Sequence, residues 1–302
     1  MSRSTPTPAI GGAVGEYHWN WKKKSVTIAY EVMGEGKPIL LLPALSSVST
    51  RAEMRGIAER LAERYQVVAI DWLGFGESSR PFLNYTPAVY RSLLRDFVRS
   101  MFSEPVVVIA AGHSAGYVMD LTRQPNPPWS WVALVSPTWR GPLPTAFGEH
   151  RWFYKLLKVI VRLPLIGQFL YFLNTLPPFL ALMYRRHVYG NGKNVTWNLI
   201  RQKWRTTQRW GARHASAAFV TGTLDPVKNR SEFMDYFQPL PPVPVLMAIG
   251  EQTPPKSRAE MEVLAHFTAV QVYRMPGSLG LHEEYPEELI EGILPFLNKY
   301  LS

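Results

Sequence analysis

Gly112-His113-Ser114-Ala115-Gly116 sets a serine between two glycines at the spacing G-x-S-x-G. A serine hydroxyl is a weak nucleophile until a neighbouring base takes its proton, so the types and spacing matter together. The spacing suits a sharp, strained turn from strand to helix, where glycines permit close packing and the serine oxygen is left exposed. The continuously apolar run Val106–Ala110 precedes the pentad and a helix is expected after it, which is the context the pattern needs. The first amides of that helix would lie near a developing oxyanion. Ser114 is therefore read as the nucleophile of a covalent, acyl-transferring mechanism. His113 beside it is expected to pack inward as a structural residue.

The elements that must position this serine follow from hydrophobic periodicity. Tyr17–Trp21 and Val26–Val32 read as two strands joined by a basic turn. Ile39–Leu42, Val67–Ile70, Val106–Ala110 and Trp131–Val135 are short apolar runs of the kind buried on both faces of a parallel sheet. Arg51–Arg64 carries Met54, Ile57, Ala58 and Leu61 on one helical stripe with charges opposite, and Ala88–Phe102 is a second amphipathic helix. Alternation of strand and helix at this spacing implies right-handed crossovers. The same grammar returns in Val243–Ile249, Val270–Met275 and a closing helix over Glu284–Leu301. Asp71-Trp72-Leu73-Gly74-Phe75-Gly76-Glu77-Ser78 follows its strand as a tight hydrogen-bonded loop, so Asp71 is taken as structural and not as a catalytic acid.

Leu42-Pro43-Ala44, the Asp71–Ser78 loop, Gly112–Gly116 and His282-Glu283-Glu284-Tyr285-Pro286 together resemble the α/β-hydrolase superfamily over nearly the whole chain. The likeness is nearest to its capped esterase, lipase and haloperoxidase-like branches and to related proteins of cyanobacteria and plastids. The resemblance implies an α/β-hydrolase fold, with a mostly parallel sheet flanked by helices and a helical cap. It also implies a Ser–acid–His triad in chain order with two backbone amides for the oxyanion. On that pattern Leu45 and Ala115 supply the amides and His282 is the general base. The triad acid is Glu251, with Glu260, Asp225 or no carboxylate at all as the alternatives.

Three departures accompany the likeness. Pro43-Ala44 stands where relatives carry His-Gly. Thr253 occupies the usual place of the acid. Leu279 occupies the usual place of the histidine, three residues before His282. Serine at the turn speaks against the dehalogenase and epoxide-hydrolase chemistries of the superfamily, which use aspartate there. The leading expectation is a hydrolase of an apolar carboxylic ester or lipid, acyl transfer using the same parts. A catalytically degenerate protein binding an apolar ligand or partner is the alternative, and a membrane-surface scaffold a third.

Length and composition bound these readings. The 302 residues suit one large α/β domain with room for an insertion, and no cysteine is present for disulfides or thiolate metal sites. His18, His150, His187, His214 and His266 show no ligand spacing, and G-x-x-x-x-G-K is absent, so neither metal nor cofactor is expected. The domain reading is a mobile tail over 1–15, a hydrolase core over 16–140 and 241–302, and a helical cap over 141–240. Pro164, Pro177 and Pro178 break the cap's helices and, with Arg162, deny it a clean membrane span. A net charge of +10 without long basic tracts or a nucleic-acid motif argues against nucleic acid. Much of the excess lies between Arg151 and Arg213 among apolar residues. That mixture suits a cytosol-like protein with peripheral membrane contact through its cap.

Overall fold

The computed structural model describes residues 6–148 and 152–301; Met1 to Thr5 of the expected tail, and His150, lie outside the described residues. The chain opens with the hairpin β1 (Ala13–Trp21) and β2 (Lys24–Met33), then β3 (Pro38–Leu42), a 3₁₀ turn at Arg51–Met54 and α1 (Arg55–Leu61). β4 (Gln66–Ile70), α2 (Pro87–Met101), β5 (Val106–Ala111), α3 (Ser114–Thr122) and β6 (Trp129–Val135) follow. Among the described residues helices then run without a strand: α4 (Pro142–Phe147), α5 (Trp152–Arg162), α6 (Ile166–Asn174), α7 (Pro177–Met183), α8 (Trp197–Thr207), α9 (Ala212–Val220) and α10 (Arg230–Met234). β7 (Val245–Gly250), α11 (Pro255–Ala265), β8 (Val270–Met275), the single turn α12 (Leu281–Glu284) and α13 (Pro286–Leu301) close the chain.

The eight strands form one sheet in the order β1-β2-β4-β3-β5-β6-β7-β8. β2 runs antiparallel to both β1 and β4, and every later pairing is parallel. The fold is thus an α/β-hydrolase fold, a mostly parallel sheet flanked by helices. The apolar runs are continuous because both faces are covered. On β5, Val106, Val108 and Ala110 join the core shared with α2 and α3, whereas Val107, Ile109 and Ala111 join that under α1 and α13.

The tail expected to be mobile is fixed over its described part. Ile10 is fully buried, and the amides of Ala9, Ile10, Gly11 and Gly12 all donate to the Glu31 carboxylate at 2.7–3.0 Å. Its small residues allow this close approach, since a Cβ on Gly12 would lie 2.2 Å from the Val32 carbonyl oxygen. Glu31 in turn meets a buried cationic centre. Arg51 bonds Glu31 at 3.0 Å, Glu77 at 2.7 Å and Asp71, with its own side chain only 1% exposed. Asp71 also accepts the Arg51 and Glu77 amides at 2.7 and 2.8 Å, which makes it a structural loop residue.

Candidate active site

β5 ends at Ala111 and the chain turns sharply at Gly112, whose φ is +51°. His113 is already right-handed (φ −69°, ψ −19°), and Ser114 is the first residue of α3. The strain that should present the nucleophile therefore falls on a glycine, two residues early, and the expected elbow at Ser114 is not formed. Glycine adopts positive φ at little cost, so the turn completes at Gly112 and the helix captures the serine.

Ser114 has no exposed surface. Its Oγ donates to the Pro43 carbonyl at 2.5 Å, and the Trp72 indole N–H lies 3.0 Å from both that carbonyl and Oγ. The Pro43–Ala44 loop, expected to lead into an oxyanion hole, thus offers the serine an acceptor. Of the two expected amide donors, Ala115 N–H is engaged with the Gly112 carbonyl at 3.2 Å. Leu45 is placed in the main core, with its side chain 1% exposed. His113 packs inward as expected, its Nε2 3.0 Å from the Leu224 carbonyl and 3.5 Å from Asp225. Burial pushes its imidazole down to about 4, against the smaller opposing effect of the Leu224 carbonyl.

His282 is buried but forms no hydrogen bond with Ser114. Its Nε2 lies 3.2 Å from Glu53 Oε1, and its Nδ1 is buried without a hydrogen-bond partner. The same Glu53 oxygen accepts the Ala44 amide at 2.6 Å. On the other side stands Lys203 of α8, 3.8 Å from Glu53 Oε2 and 2.6 Å from Glu283. Burial alone would raise the Glu53 carboxyl. His282, Lys203 and the Ala44 amide outweigh it and hold the group below its ordinary value. Burial likewise works against the Lys203 ammonium, but Glu283 and Glu53 hold it above its ordinary value.

None of the carboxylates expected to complete a triad reaches His282. Glu251 is exposed, and its carbonyl accepts Arg258 at 2.9 Å. Glu260 is engaged by Arg140 and, at 2.7 Å, by Arg230. Asp225 accepts the Gly141 amide at 2.8 Å. Glu53 takes their place, from a segment whose sequence reads only as the polar side of an amphipathic helix, so no spacing signal marked it. Thr253, at the expected acid position, is buried with its hydroxyl unpartnered, and Leu279 packs against the core. No cluster of three metal-ligating side chains occurs among the described residues.

Residues 39–291 match the alpha/beta hydrolase family. A 92-residue stretch is 32% identical to 2-hydroxy-6-oxo-6-(2'-aminophenyl)hexa-2,4-dienoic acid hydrolase of Metapseudomonas resinovorans, covering 30% of this chain and 31% of that one. The curated relatives are matched over only a quarter to about a third of their own length. Among solved structures, a thermophilic esterase from Thermogutta terrifontis superposes with a TM-score of 0.70 at 16% identity, over 95% of this chain and 100% of that one. A bromoperoxidase from Bacillus anthracis gives 0.69 at 17% identity, over 94% and 100%. Family and structural neighbours are mostly hydrolases.

Proposed function

The chain belongs to the alpha/beta hydrolase family, and from that premise we propose that it is a non-hydrolytic member, which works by binding an apolar partner. The observation that carries this reading is the double commitment at the site. The Ser114 hydroxyl is spent on the Pro43 carbonyl and His282 on Glu53. For Ser114 to attack an ester, its hydrogen bond must break at a cost of about 1 kcal/mol. For His282 to turn Nε2 toward the serine, it must also give up its contact with the Glu53 carboxylate, which costs about 1.5–3 kcal/mol. Together these lower a rate by about two to three orders of magnitude before any chemistry begins.

A second reading is favoured by the retained G-x-S-x-G pentad and the family match. In it Ser114 forms an acyl-enzyme with an apolar carboxylic ester, His282 is the base, and the amides of Leu45 and Ala115 hold the oxyanion. Fluorophosphonate labelling of the purified protein separates the two. The non-hydrolytic reading expects no labelling of the wild type under conditions where an esterase control reacts fully. Labelling that is abolished by both Ser114→Ala and His282→Ala would overturn it in favour of the esterase.

A further inference from the structure

A surface helix in a water-soluble fold turns its apolar stripe inward. α5 does the reverse. Trp152, Leu156 and Val159 of the helix, and Leu163 just beyond it, recur at helical spacing and are 77, 49, 57 and 43% exposed, whereas the buried residue of the helix is Tyr154. α6 repeats the arrangement with Ile166, Phe169 and Leu173 outward and only Gly167 and Tyr171 buried. The two helices are bent by 106° at the intervening turn. At that apex Leu165 is 85% exposed and held at φ +55°, a backbone conformation unfavourable for leucine.

Charge identifies what covers this face. Residues 150–224 contain twelve Lys and Arg and not one Asp or Glu, so the remainder of the chain is net −2 and the whole positive excess resides in this segment. Lys155, Arg185, Arg186 and Arg209 of the segment are exposed. Trp210, 86% exposed, adds an amphipathic ring of the kind that settles at a headgroup boundary. The 11 and 9 residues of α5 and α6 extend about 16 and 14 Å, each well short of a bilayer's hydrocarbon core.

We propose that the α5–α6 hairpin docks the protein on an anionic phospholipid bilayer. Its apolar stripe lies in the interfacial plane, Leu165 leads the insertion, and the basic residues meet lipid headgroups. Shallow insertion of an apolar face with electrostatic attraction around it is the physics of interfacial helices. Each Lys or Arg near the surface strengthens binding by about fivefold, in a salt-screened manner. The proposal holds whether or not Ser114 reacts, since no residue of the Ser114 or His282 clusters lies on the hairpin.

Vesicle flotation tests it, with phosphatidylglycerol–phosphatidylcholine vesicles beside pure phosphatidylcholine. Wild type is expected to float with the anionic vesicles and to be released by added salt. The double variant Val159→Glu, Leu165→Glu is expected to lose at least about tenfold in affinity. Both side chains are exposed, so an unchanged melting temperature certifies that its fold is intact. Equal binding to both vesicle types, or unchanged binding by the double variant, would overturn the proposal. So would an absence of vesicle binding in a protein that self-associates through the hairpin and becomes monomeric in the double variant.

Discussion

Lys203→Met removes the cation that α8 contributes to the His282 cluster while keeping an apolar stem of similar length. Lys203 is 7% exposed and sits between Glu283 at 2.6 Å and Glu53 at 3.8 Å. Breaking a buried pair from one side costs about 3–5 kcal/mol, because the surviving charge is left uncompensated. The lower end applies here: Glu53 keeps His282 and the Ala44 amide, and Glu283 retains 16% exposure. An unfolding entropy of about 2.1 cal/mol/K per residue gives about 0.6 kcal/mol/K for 302 residues. A loss of about 3 kcal/mol then lowers Tm by about 5 °C. Calorimetry at neutral pH measures it. Adding Glu283→Gln removes the orphaned carboxylate, so the double variant is expected to recover part of the loss, with a coupling of about 2 kcal/mol. Burial makes the effect insensitive to salt. A Tm change below about 1 °C, or additive single and double variants, would refute the Lys203 pairing and with it the account of how α8 holds the His282 cluster.

Two further outcomes follow from buried charge. Arg51→Met strands the carboxylates of Glu31, Asp71 and Glu77 around an apolar side chain, and a loss of at least about 4 kcal/mol is expected in urea unfolding, enough to release the 6–15 segment to proteolysis. His113 is held at about 4 when folded, against an ordinary value near 6.5, so the unfolded chain takes up a proton that the native state refuses. Its stabilising share is therefore complete above about pH 6.5 and is lost as pH falls toward 4, with about 2 kcal/mol gone between about pH 7 and pH 5. His214, lowered to about 4 by desolvation and then by Arg213 and Arg162, acts in the same window, so the difference between wild type and His113→Gln in urea midpoints isolates the His113 share. Equal pH slopes in the two proteins would contradict the assignment.

The sheet was legible because its physics is local. Val106–Ala111 and Val245–Gly250 are apolar at every position, and only a strand covered on both faces uses such a run. Val270–Met275 agrees residue for residue between pattern and structure, and Glu284–Leu301 differs by a turn at its start, where Leu281–Glu284 forms a separate helical turn. The inward packing of His113 and the loop role of Asp71 were legible for the same reason, since turn geometry constrains them nearby in sequence. The tail was misread because composition reports small, polar residues but not their destination, the Glu31 carboxylate some twenty residues away. The elbow and the partner of His282 were misread for a similar reason. G-x-S-x-G states which residues stand near the turn, and Gly112 and Ser114 satisfy it wherever the positive φ falls. The pairing of Glu53 with His282 joins positions more than two hundred residues apart, and no periodicity encodes it.

The three departures in the sequence share one physical consequence. With Thr253 in place of a carboxylate and Leu279 in place of a histidine, no hydrogen bond joins Ser114 to a base among the described residues. A buried hydroxyl without a base still needs partners, because an unsatisfied polar group in a core costs about 1–3 kcal/mol. The Pro43 carbonyl and the Trp72 indole supply them, and a serine so held favours the relaxed first turn of a helix over a strained elbow. His282 meets the same requirement in reverse. An imidazole buried beside Glu53 has that carboxylate as its partner, and Lys203 of α8 brings positive charge to the same carboxylate. Lys203 thus ties α8 to Glu53 and Glu283, and on the non-hydrolytic reading proposed above reactivity at Ser114 requires both clusters to rearrange.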